Sequence, residues 1–488
     1  MKIHPLNLVV IVVYLLIMAG MGFWFMRRNN SSDVYFRAGG KLPWWAVSLS
    51  IYATMFSSIT FISVPAMSFS GDMRYFVISF GIILLAPVVV KWYLPYFRKL
   101  NLTSAYEYLE QRFNLPCRLF ASAAFSLFMI ARTGIVAYLP SLAVSAVTGI
   151  DINVAIIAVT VITVLYCVVG GVEAVIWSDF VQSLILIGST ILIFALLVFG
   201  TDGGIAGFVK MGMDADKFRV FDFAFDWSKP CFWVMLVAGI VANLASYTSD
   251  QCVVQRYMTT PDIKGAGRSI LFNGVLSFIN CIVFFLIGVA LWTFYRSHPG
   301  ALAEGTKPDA VLPVFIANGL PVGVSGLVFA AIAAATMSTI SSNLNSAASA
   351  VTVDFWERLV LRRRNVDAET CDRLKLRCAK IVTFVVGILG GVFALVLANA
   401  DVGNIYDQFQ RFLGILTGGL GCLFFMGIFM KRINGFGATC GLIANYLVCF
   451  GLDAVPWAGK PHMLLFGFLG MVTCLIVAPI ASLKGKHK

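Results

Sequence analysis

Long apolar stretches alternate with short polar connections over the whole chain. Thirteen of these stretches are apolar enough to cross a bilayer, which takes about 20 residues for one helix. They lie at about 8–26, 44–69, 75–96, 117–148, 153–170, 176–199, 230–255, 268–293, 322–352, 378–400, 405–429, 433–454 and 462–482. Basic residues follow the first stretch and do not precede it, so we interpret it as a retained span and not as a signal peptide. The pattern predicts an all-α polytopic membrane protein with about thirteen transmembrane helices.

The composition agrees with this pattern. Hydrophobic residues make up 59% of the 488 residues and charged residues 12%, with a mean hydropathy of +0.87. This excludes an ordinary soluble globule. A net charge of +12 could indicate nucleic-acid binding, but the charges fall in short loops on alternate sides of the apolar stretches. We therefore expect the lipid bilayer, and not nucleic acid, to be the surrounding partner.

The basic residues of the loops predict the orientation. The positive-inside rule places the loops rich in Lys and Arg in the cytoplasm, so an odd number of spans puts the N-terminus outside and the C-terminus inside. The residues assigned to cytoplasmic loops and the tail are Arg27, Arg28, Arg37, Lys41, Arg98, Lys99, Arg112, Arg118, Arg256, Lys264, Arg268, Arg358, Arg362, Arg363, Arg364, Arg373, Lys375, Arg377, Lys380, Lys431, Arg432, Lys484, Lys486 and Lys488.

The second apolar stretch is interrupted in its middle by ATMFSSIT, residues 53–60. Its hydroxyls at Thr54, Ser57, Ser58 and Thr60 can bond to nearby backbone and so permit local unwinding. Unwound backbone inside a membrane is tolerated where it lines a cavity, and there it can hold an ion. The stretch predicts an ion and substrate site at mid-membrane; close helix packing through small residues is the alternative.

A second polar interruption, ANLASYTSDQCVVQRY at residues 242–257, follows five spans later. Two broken helices in corresponding positions of two five-span halves are typical of an inverted-repeat transporter. This spacing is the strongest purely physical indication of function in the chain.

Two charged residues lie inside apolar stretches and need partners. Arg132, near the middle of the fourth span, is expected to face the bundle interior, where either a protein carboxylate or an anionic substrate could match its guanidinium. Asp179 lies about one turn inside the sixth span and needs a cation or a hydrogen-bond donor, unless it stays hydrated at the interface.

The ninth span carries Ser338, Ser341 and Ser342 at i, i+3 and i+4, with Thr339 at the border of the same helical face. Grouped neutral oxygens suit a hard cation such as sodium, although small residues also serve as a packing face. At the outer end of the eleventh span, Gln408, Gln410 and Arg411 could contribute to a gate or act as interfacial anchors.

The four histidines lie near span ends or termini, which leaves no buried cluster for metal ligation or acid–base work. We therefore do not expect an enzyme. A channel or a membrane sensor remains a competing class, although no cytoplasmic signalling domain is evident in the sequence.

The chain resembles the sodium:solute symporter family along its length, from DVYFRAGGKLPWWAVSLSIYAT through GGVEAVIWSDFVQ and SDQCVVQRY to AAATMSTISSNLNSAASAVTVDFW. Within that family it is most similar to the bacterial sodium-coupled sialic acid transporters, in FSSITFISVPAMSF, in YFRKLNLTSAYEYLEQRF and around Arg132. The resemblance implies one transporter domain, 1–488, with the LeuT-like inverted-repeat fold: an extra helix at 8–26, repeats at 44–199 and 230–429, and two further helices at 433–482.

The resemblance also implies the ligands of the coupling ion. The first sodium site would use Ala53, Phe56, Ala335, Ser338 and Thr339. A possible second sodium site would use Asp179, Ser341 and Ser342.

For the substrate, the resemblance implies a pocket that contains Ser57, Thr60, Tyr75, Ser79, Arg132 and Ser246. Met55, Ser79, Ala245 and Ser246 depart from the polar groups expected there, and Arg411 is an additional cation. The carboxylate end of the pocket is therefore expected to be retained and the opposite end altered, so another sugar acid is compatible with the sequence.

The expected function is sodium-coupled import of a small organic solute, an anionic sugar acid such as sialic acid, by alternating access. Import of a neutral sugar or polyol, with Arg132 held by a protein carboxylate, is the alternative. We expect a multi-pass protein of the inner (plasma) membrane that works as a monomer, with sodium as coupling ion and no other cofactor.

Overall fold

The computed structural model describes residues 4–26, 32–100, 103–364, 367–400, 405–455 and 459–483. All regular structure in these ranges is helical. Arg27, Arg28, Lys484, Lys486 and Lys488, which contribute to the predicted orientation, lie outside them. The α-helices are Pro5–Met26, Ser32–Arg37, Trp44–Met55, Ser58–Ser70, Phe80–Val88, Leu94–Leu100, Glu107–Arg112, Leu115–Thr148, Ile152–Gly200, Gly204–Asp214, Phe232–Thr248, Gln251–Met258, Ile263–Ser297, Pro308–Asn318, Val324–Ala350, Ala368–Asn399, Ile405–Phe429, Gly435–Ala454 and Phe466–Ser482.

The helices follow the order of the predicted spans, while the number of thirteen stays a prediction. Within the described ranges, nine helical segments are long and apolar enough to cross a membrane, and two bent pairs bring the number to eleven. Two shorter apolar helices, Pro5–Met18 and Ile152–Leu165, fall on the first and fifth predicted spans. The long helix Ile152–Gly200 is kinked at Gly171, where φ is 62°, between the predicted fifth and sixth spans. The all-helical polytopic fold is therefore confirmed.

Both predicted helix breaks are present. The first broken span consists of Trp44–Met55 and Ser58–Ser70, bent by 57°, and the second consists of Phe232–Thr248 and Gln251–Met258, bent by 50°. In each break a side chain caps the helix that follows: the oxygen of Ser57 accepts from the Ile59 amide at 3.2 Å, and that of Asp250 accepts from the Cys252 amide at 2.8 Å. These caps satisfy amides that no helical carbonyl can reach.

Close backbone contacts hold the helices around the breaks. A Cβ atom on Gly239, in the second broken span, would lie 2.3 Å from the Ile78 carbonyl oxygen, and one on Gly81 would lie 2.3 Å from that of Gly239. Only glycine fits such an approach, which small residues make possible between membrane helices. The second broken span is therefore pressed directly against the 3₁₀ turn Arg74–Ser79 and the helix that follows it.

The assignment of Arg118 and Arg256 to loops is wrong. Arg118 lies in the first turn of Leu115–Thr148, is 3% exposed, and forms ion pairs with Asp354 at 2.8 Å and Glu110 at 2.7 Å. Arg256 lies within the second broken span and is 1% exposed. Carboxylates from distant parts of the chain allow both arginines to be buried, a pairing that counting loop charges does not reveal.

Candidate functional site

The break in the first broken span faces the serine-rich helix Val324–Ala350. Ser338 Oγ donates a hydrogen bond to the Ala53 carbonyl at 2.8 Å, and Thr339 Oγ1 donates to the Ala335 carbonyl at 3.0 Å. These four residues are fully buried. Because the helix ends at Met55, the carbonyl of Ala53 lacks a helical donor one turn further on. Ser338 Oγ also lies 3.3 Å from the Ala335 carbonyl, so the two carbonyls and two hydroxyls form one group of neutral oxygens, a set that suits sodium.

The fifth residue of the predicted first sodium site lies at the break itself. Phe56 has φ −88° and ψ 84°, outside the helical region. Its ring stacks between Tyr52 and Phe284, at centroid distances of 4.7 and 5.9 Å. These ring contacts anchor the unwound turn.

The predicted second sodium site contains a cation of the protein itself. Asp179 Oδ2 accepts from Ser50 Oγ at 2.6 Å and from Arg256 Nη2 at 3.0 Å, and the same Arg256 nitrogen donates to Ser342 Oγ. Asp179 is fully buried, so the interpretation that it stays hydrated at the interface is wrong, and its need for a cationic partner is confirmed. Its other oxygen, Oδ1, has no hydrogen-bond partner within the described ranges. One carboxylate oxygen therefore remains for a further cation.

Short hydrogen bonds connect the two predicted sodium sites. Ser341 Oγ and Ser342 Oγ donate to the Ser338 carbonyl at 3.0 and 2.5 Å. Thr54 Oγ1, beside the first break, lies 3.0 Å from Ser342 Oγ. The serine face thus contacts the first broken span at Ala53 and Thr54, and Ser338 takes part in both hydrogen-bonded groups.

A cavity of about 130 Å³ lies between the two breaks. It is lined by Thr54, Met55, Ile78, Phe128, Arg132, Ala242, Asn243, Ser246, Asp250, Val253, Phe409, Gln410 and Leu413. Two aromatic walls with few convergent polar groups are typical of a small-molecule site. The cavity is the candidate substrate site.

Arg132 joins both breaks within this cavity. Its Nη2 donates to the Thr54 carbonyl at 2.8 Å, and its Nη1 lies 3.5 Å from Asp250 Oδ2. Its Nε is buried without a hydrogen-bond partner in the part of the chain that is described. The sequence left open whether a protein carboxylate or a ligand faces this guanidinium. The structure provides a protein carboxylate, but at the outer limit of hydrogen-bonding distance.

Of the other predicted substrate residues, Ser246 lines the same cavity. Ser57 caps the helix after the first break, and Thr60 is half-buried one turn further along that helix. Ser79 is buried at the end of the 3₁₀ turn, next to Ile78, which lines the cavity. The structure therefore groups Arg132 with Ser246 and distributes the remaining residues around this centre.

Tyr75, predicted as part of the substrate pocket, packs its ring edge-to-face on Tyr406 at 6.2 Å. Of the residues predicted for an outer gate, Gln408, Gln410 and Arg411, Gln410 lines the cavity. Arg411, in contrast, forms an ion pair with Asp453 on a neighbouring helix. The additional cation noted in the sequence is thus engaged outside the cavity.

Two functional candidates, Arg256 and Asp250, are not among the predicted site residues. Arg256 is among the predicted loop charges, although a cation is one of the partners that the position of Asp179 indicates. Asp250 stands in the middle of the second polar interruption, and its charge at a helix break was the signal that could have identified it.

Comparisons with known proteins agree with this architecture. The sequence model described as the sodium:solute symporter family matches residues 35–445. The chain is 37% identical to the sodium/sialic acid symporter SiaT of Proteus mirabilis, over 99% of this chain and 96% of that protein. It is also 37% identical to the sodium/sialic acid symporter NanT of Aliivibrio fischeri, over 98% and 92%.

Solved structures give the same result. A sodium-coupled sialic acid symporter in a substrate-bound, outward-open state superposes with a TM-score of 0.90 at 36% identity, covering 99% of this chain and 98% of that one. Mhp1, a nucleobase-cation-symport-1 family transporter, superposes with a TM-score of 0.57 at 14% identity, covering 92% of this chain and 93% of that one. At this identity the two proteins are similar in fold alone.

Proposed function

The chain belongs to the sodium:solute symporter family, and from that membership we propose that it imports sialic acid, or a closely related sugar acid, together with sodium. It is a multi-pass protein of the inner membrane, it is not an enzyme, and sodium is its coupling ion. No covalent chemistry is needed: sodium moving down its gradient stabilises the outward-open state, and substrate and ion leave on the other side after the bundle rocks around the site.

The observation that carries the substrate assignment is the incomplete hydrogen bonding of Arg132. A guanidinium presents five donors in a planar fork that matches a carboxylate through two bonds. Here one arm is bonded to Thr54, one faces Asp250 at 3.5 Å, and Nε has no partner among the described residues. A charged group with unused donors at this depth calls for an anionic ligand. Sialic acid, for which the similar symporters are named, is an anionic ligand of this kind.

A neutral sugar or polyol is the second candidate substrate. This alternative requires a protein carboxylate beside Arg132, and Asp250 is such a carboxylate. The long single contact argues against it. A carboxylate that served only to neutralise this arginine would be expected at about 2.7–2.9 Å. The buried pairs elsewhere in the chain, at 2.8 and 3.0 Å, lie within or close to that range.

Uptake into proteoliposomes tests the proposal. With an inward sodium gradient, labelled N-acetylneuraminate should accumulate above its external concentration, and replacing sodium with choline should stop this. An excess of unlabelled acid should compete, whereas its analogue with the carboxylate reduced to an alcohol and a panel of neutral sugars should not. Competition by the neutral compounds alone would favour the second candidate, and equilibration without accumulation would indicate a channel.

We further propose that Ala53, Phe56, Ala335, Ser338 and Thr339 hold one sodium ion, and that Asp179, Ser341 and Ser342 contribute to a second. The support is the group of neutral oxygens at the first break and the Oδ1 of Asp179, which has no hydrogen-bond partner among the described residues. The two sites would lie at the interface of repeats 44–199 and 230–429. Because both sites are assembled within one chain, we expect the protein to work as a monomer.

Replacing Thr339 with alanine should raise the sodium requirement of uptake. The loss of one neutral ligand is expected to cost roughly 1–1.5 kcal/mol, which raises the half-saturating sodium concentration about fivefold to tenfold. The sodium dependence of initial uptake rates at fixed substrate concentration measures this. Thr336→Ala is the matched control, since Thr336 is a buried threonine of the same helix with the same kind of backbone bond, to Ile332, and is not a proposed sodium ligand. An unchanged sodium dependence in Thr339→Ala would count against this site.

A further inference from the structure

Asp250 caps one helix and faces the substrate cavity at the same time. Its Oδ1 accepts from the Cys252 amide at 2.8 Å at the start of Gln251–Met258, while its Oδ2 points toward Arg132 Nη1 at 3.5 Å. Both side chains are about nine-tenths buried, and both line the cavity between the breaks. The carboxylate is therefore fixed by the cap and only loosely engaged by the arginine.

We propose that Asp250 is an internal competitor of the substrate carboxylate: it holds Arg132 while the cavity is empty and gives it up when an anionic substrate enters. Asp250 thus acts through Arg132, as a positioning residue that sets the affinity for carboxylates. The inference rests on the proposed function, because only an anionic substrate would compete for the guanidinium.

Comparison with the other buried arginines supports this role. Arg118 and Arg256 contact their carboxylates at 2.8 and 3.0 Å, and each makes further bonds to neighbouring oxygens. Arg132 makes one firm bond, to the Thr54 carbonyl. A guanidinium attached by one arm and left with free donors can exchange one carboxylate for another, whereas a saturated pair cannot do so without breaking several bonds.

The exchange would also change how the two broken spans are linked. Arg132 is bonded to the carbonyl of Thr54 at the first break, and Asp250 forms the cap at the second. When a ligand takes the guanidinium, the direct link between the breaks is replaced by one that runs through the ligand. The added negative charge beside Asp250 disfavours binding, and sodium ions bound nearby would offset it, so substrate and sodium occupancy would reinforce each other.

Asp250→Asn tests the proposal, because asparagine keeps a side-chain oxygen for the cap and removes the charge. At saturating sodium, the affinity for N-acetylneuraminate should rise about tenfold, as expected when a competing, partly buried charge is removed. The affinity for the analogue whose carboxylate is reduced to an alcohol should change less than about twofold. Calorimetric titration of purified protein gives the affinities for the acid and for its alcohol analogue. The ratio of these two affinities would stay at its wild-type value if Asp250 only stabilised the helix.

Two further variants complete the test. Asp250→Ser keeps an oxygen for the helix cap on a side chain that is too short to reach Arg132. It should therefore reproduce the rise in affinity for N-acetylneuraminate even if Asp250→Asn folds poorly. Asp453→Asn removes a carboxylate that is paired with Arg411 outside the cavity, and it should leave the ratio unchanged.

The possible failures are distinguishable. If the wild-type protein binds N-acetylneuraminate and neither Asp250 variant changes the ratio, the competitor role is overturned and the proposed function stands. If the wild-type protein binds no carboxylate at all, both are overturned.

Discussion

Replacing Arg132 with alanine is expected to abolish uptake of N-acetylneuraminate and to lower its affinity at least about 30-fold. Removing one partner of a buried, hydrogen-bonded charge pair costs about 2–5 kcal/mol, and here the loss falls on the group that we propose meets the substrate carboxylate. The change also removes the bond to the Thr54 carbonyl and leaves Asp250 in the cavity without its counter-charge. Titration of the purified variant with labelled substrate measures the affinity directly.

Sodium binding should survive this change, since the hydrogen bonds of Arg132 to described residues go to Thr54 and Asp250 and not to a proposed sodium ligand. Sodium-dependent thermal stabilisation of the variant should therefore resemble that of the wild type. Arg411→Ala is the matched control: it removes another arginine paired with an aspartate, but one outside the cavity, and uptake should persist. Combining Arg132→Ala with Asp250→Asn should recover stability without recovering binding. Wild-type affinity in Arg132→Ala would refute the anion-receptor role.

The broken spans could be predicted from sequence because their signals are local. Hydroxyls or a polar cluster inside a bilayer-length apolar run can supply the hydrogen bonds that the backbone loses where a helix breaks. Ser57 and Asp250 perform this function within two residues of each break. The serine face of Val324–Ala350 is equally local, because three positions on one helix determine it.

The partners of the buried charges could not be predicted, because they are set by tertiary packing. Asp179 and Arg256 are 77 residues apart, and Arg132 and Asp250 are 118 apart. The positive-inside rule assigns an arginine near the end of a span to a loop. The folded structure shows instead that such an arginine can be buried in an ion pair with a carboxylate. The expectation that Asp179 needs a cation was correct for a physical reason, the cost of an isolated buried charge, but that reason does not identify the cation.

Arg256→Gln is expected to make the stability of the protein strongly dependent on sodium. Arg256 bonds Ser50 Oγ at 2.8 Å and the Cys252 carbonyl at 2.7 Å, besides neutralising Asp179. Removing the partner of a buried carboxylate costs about 3–5 kcal/mol, which should lower the melting temperature in sodium-free buffer. A sodium ion can face the carboxylate in place of the guanidinium, so adding sodium should recover much of the loss.

Thermal unfolding in detergent, titrated with sodium chloride against choline chloride, measures this effect. Arg118→Gln is the control, because it disrupts an equally buried pair, with Asp354, in which no sodium ligand is proposed. It should lower the melting temperature without changing the response to sodium. Adding Asp179→Asn to Arg256→Gln removes the unbalanced carboxylate and should abolish the enhanced response. If Arg256→Gln responds to sodium no more than Arg118→Gln does, Asp179 does not face a sodium ion, and coupling would rest on the oxygens around Ala53 and Ser338 alone.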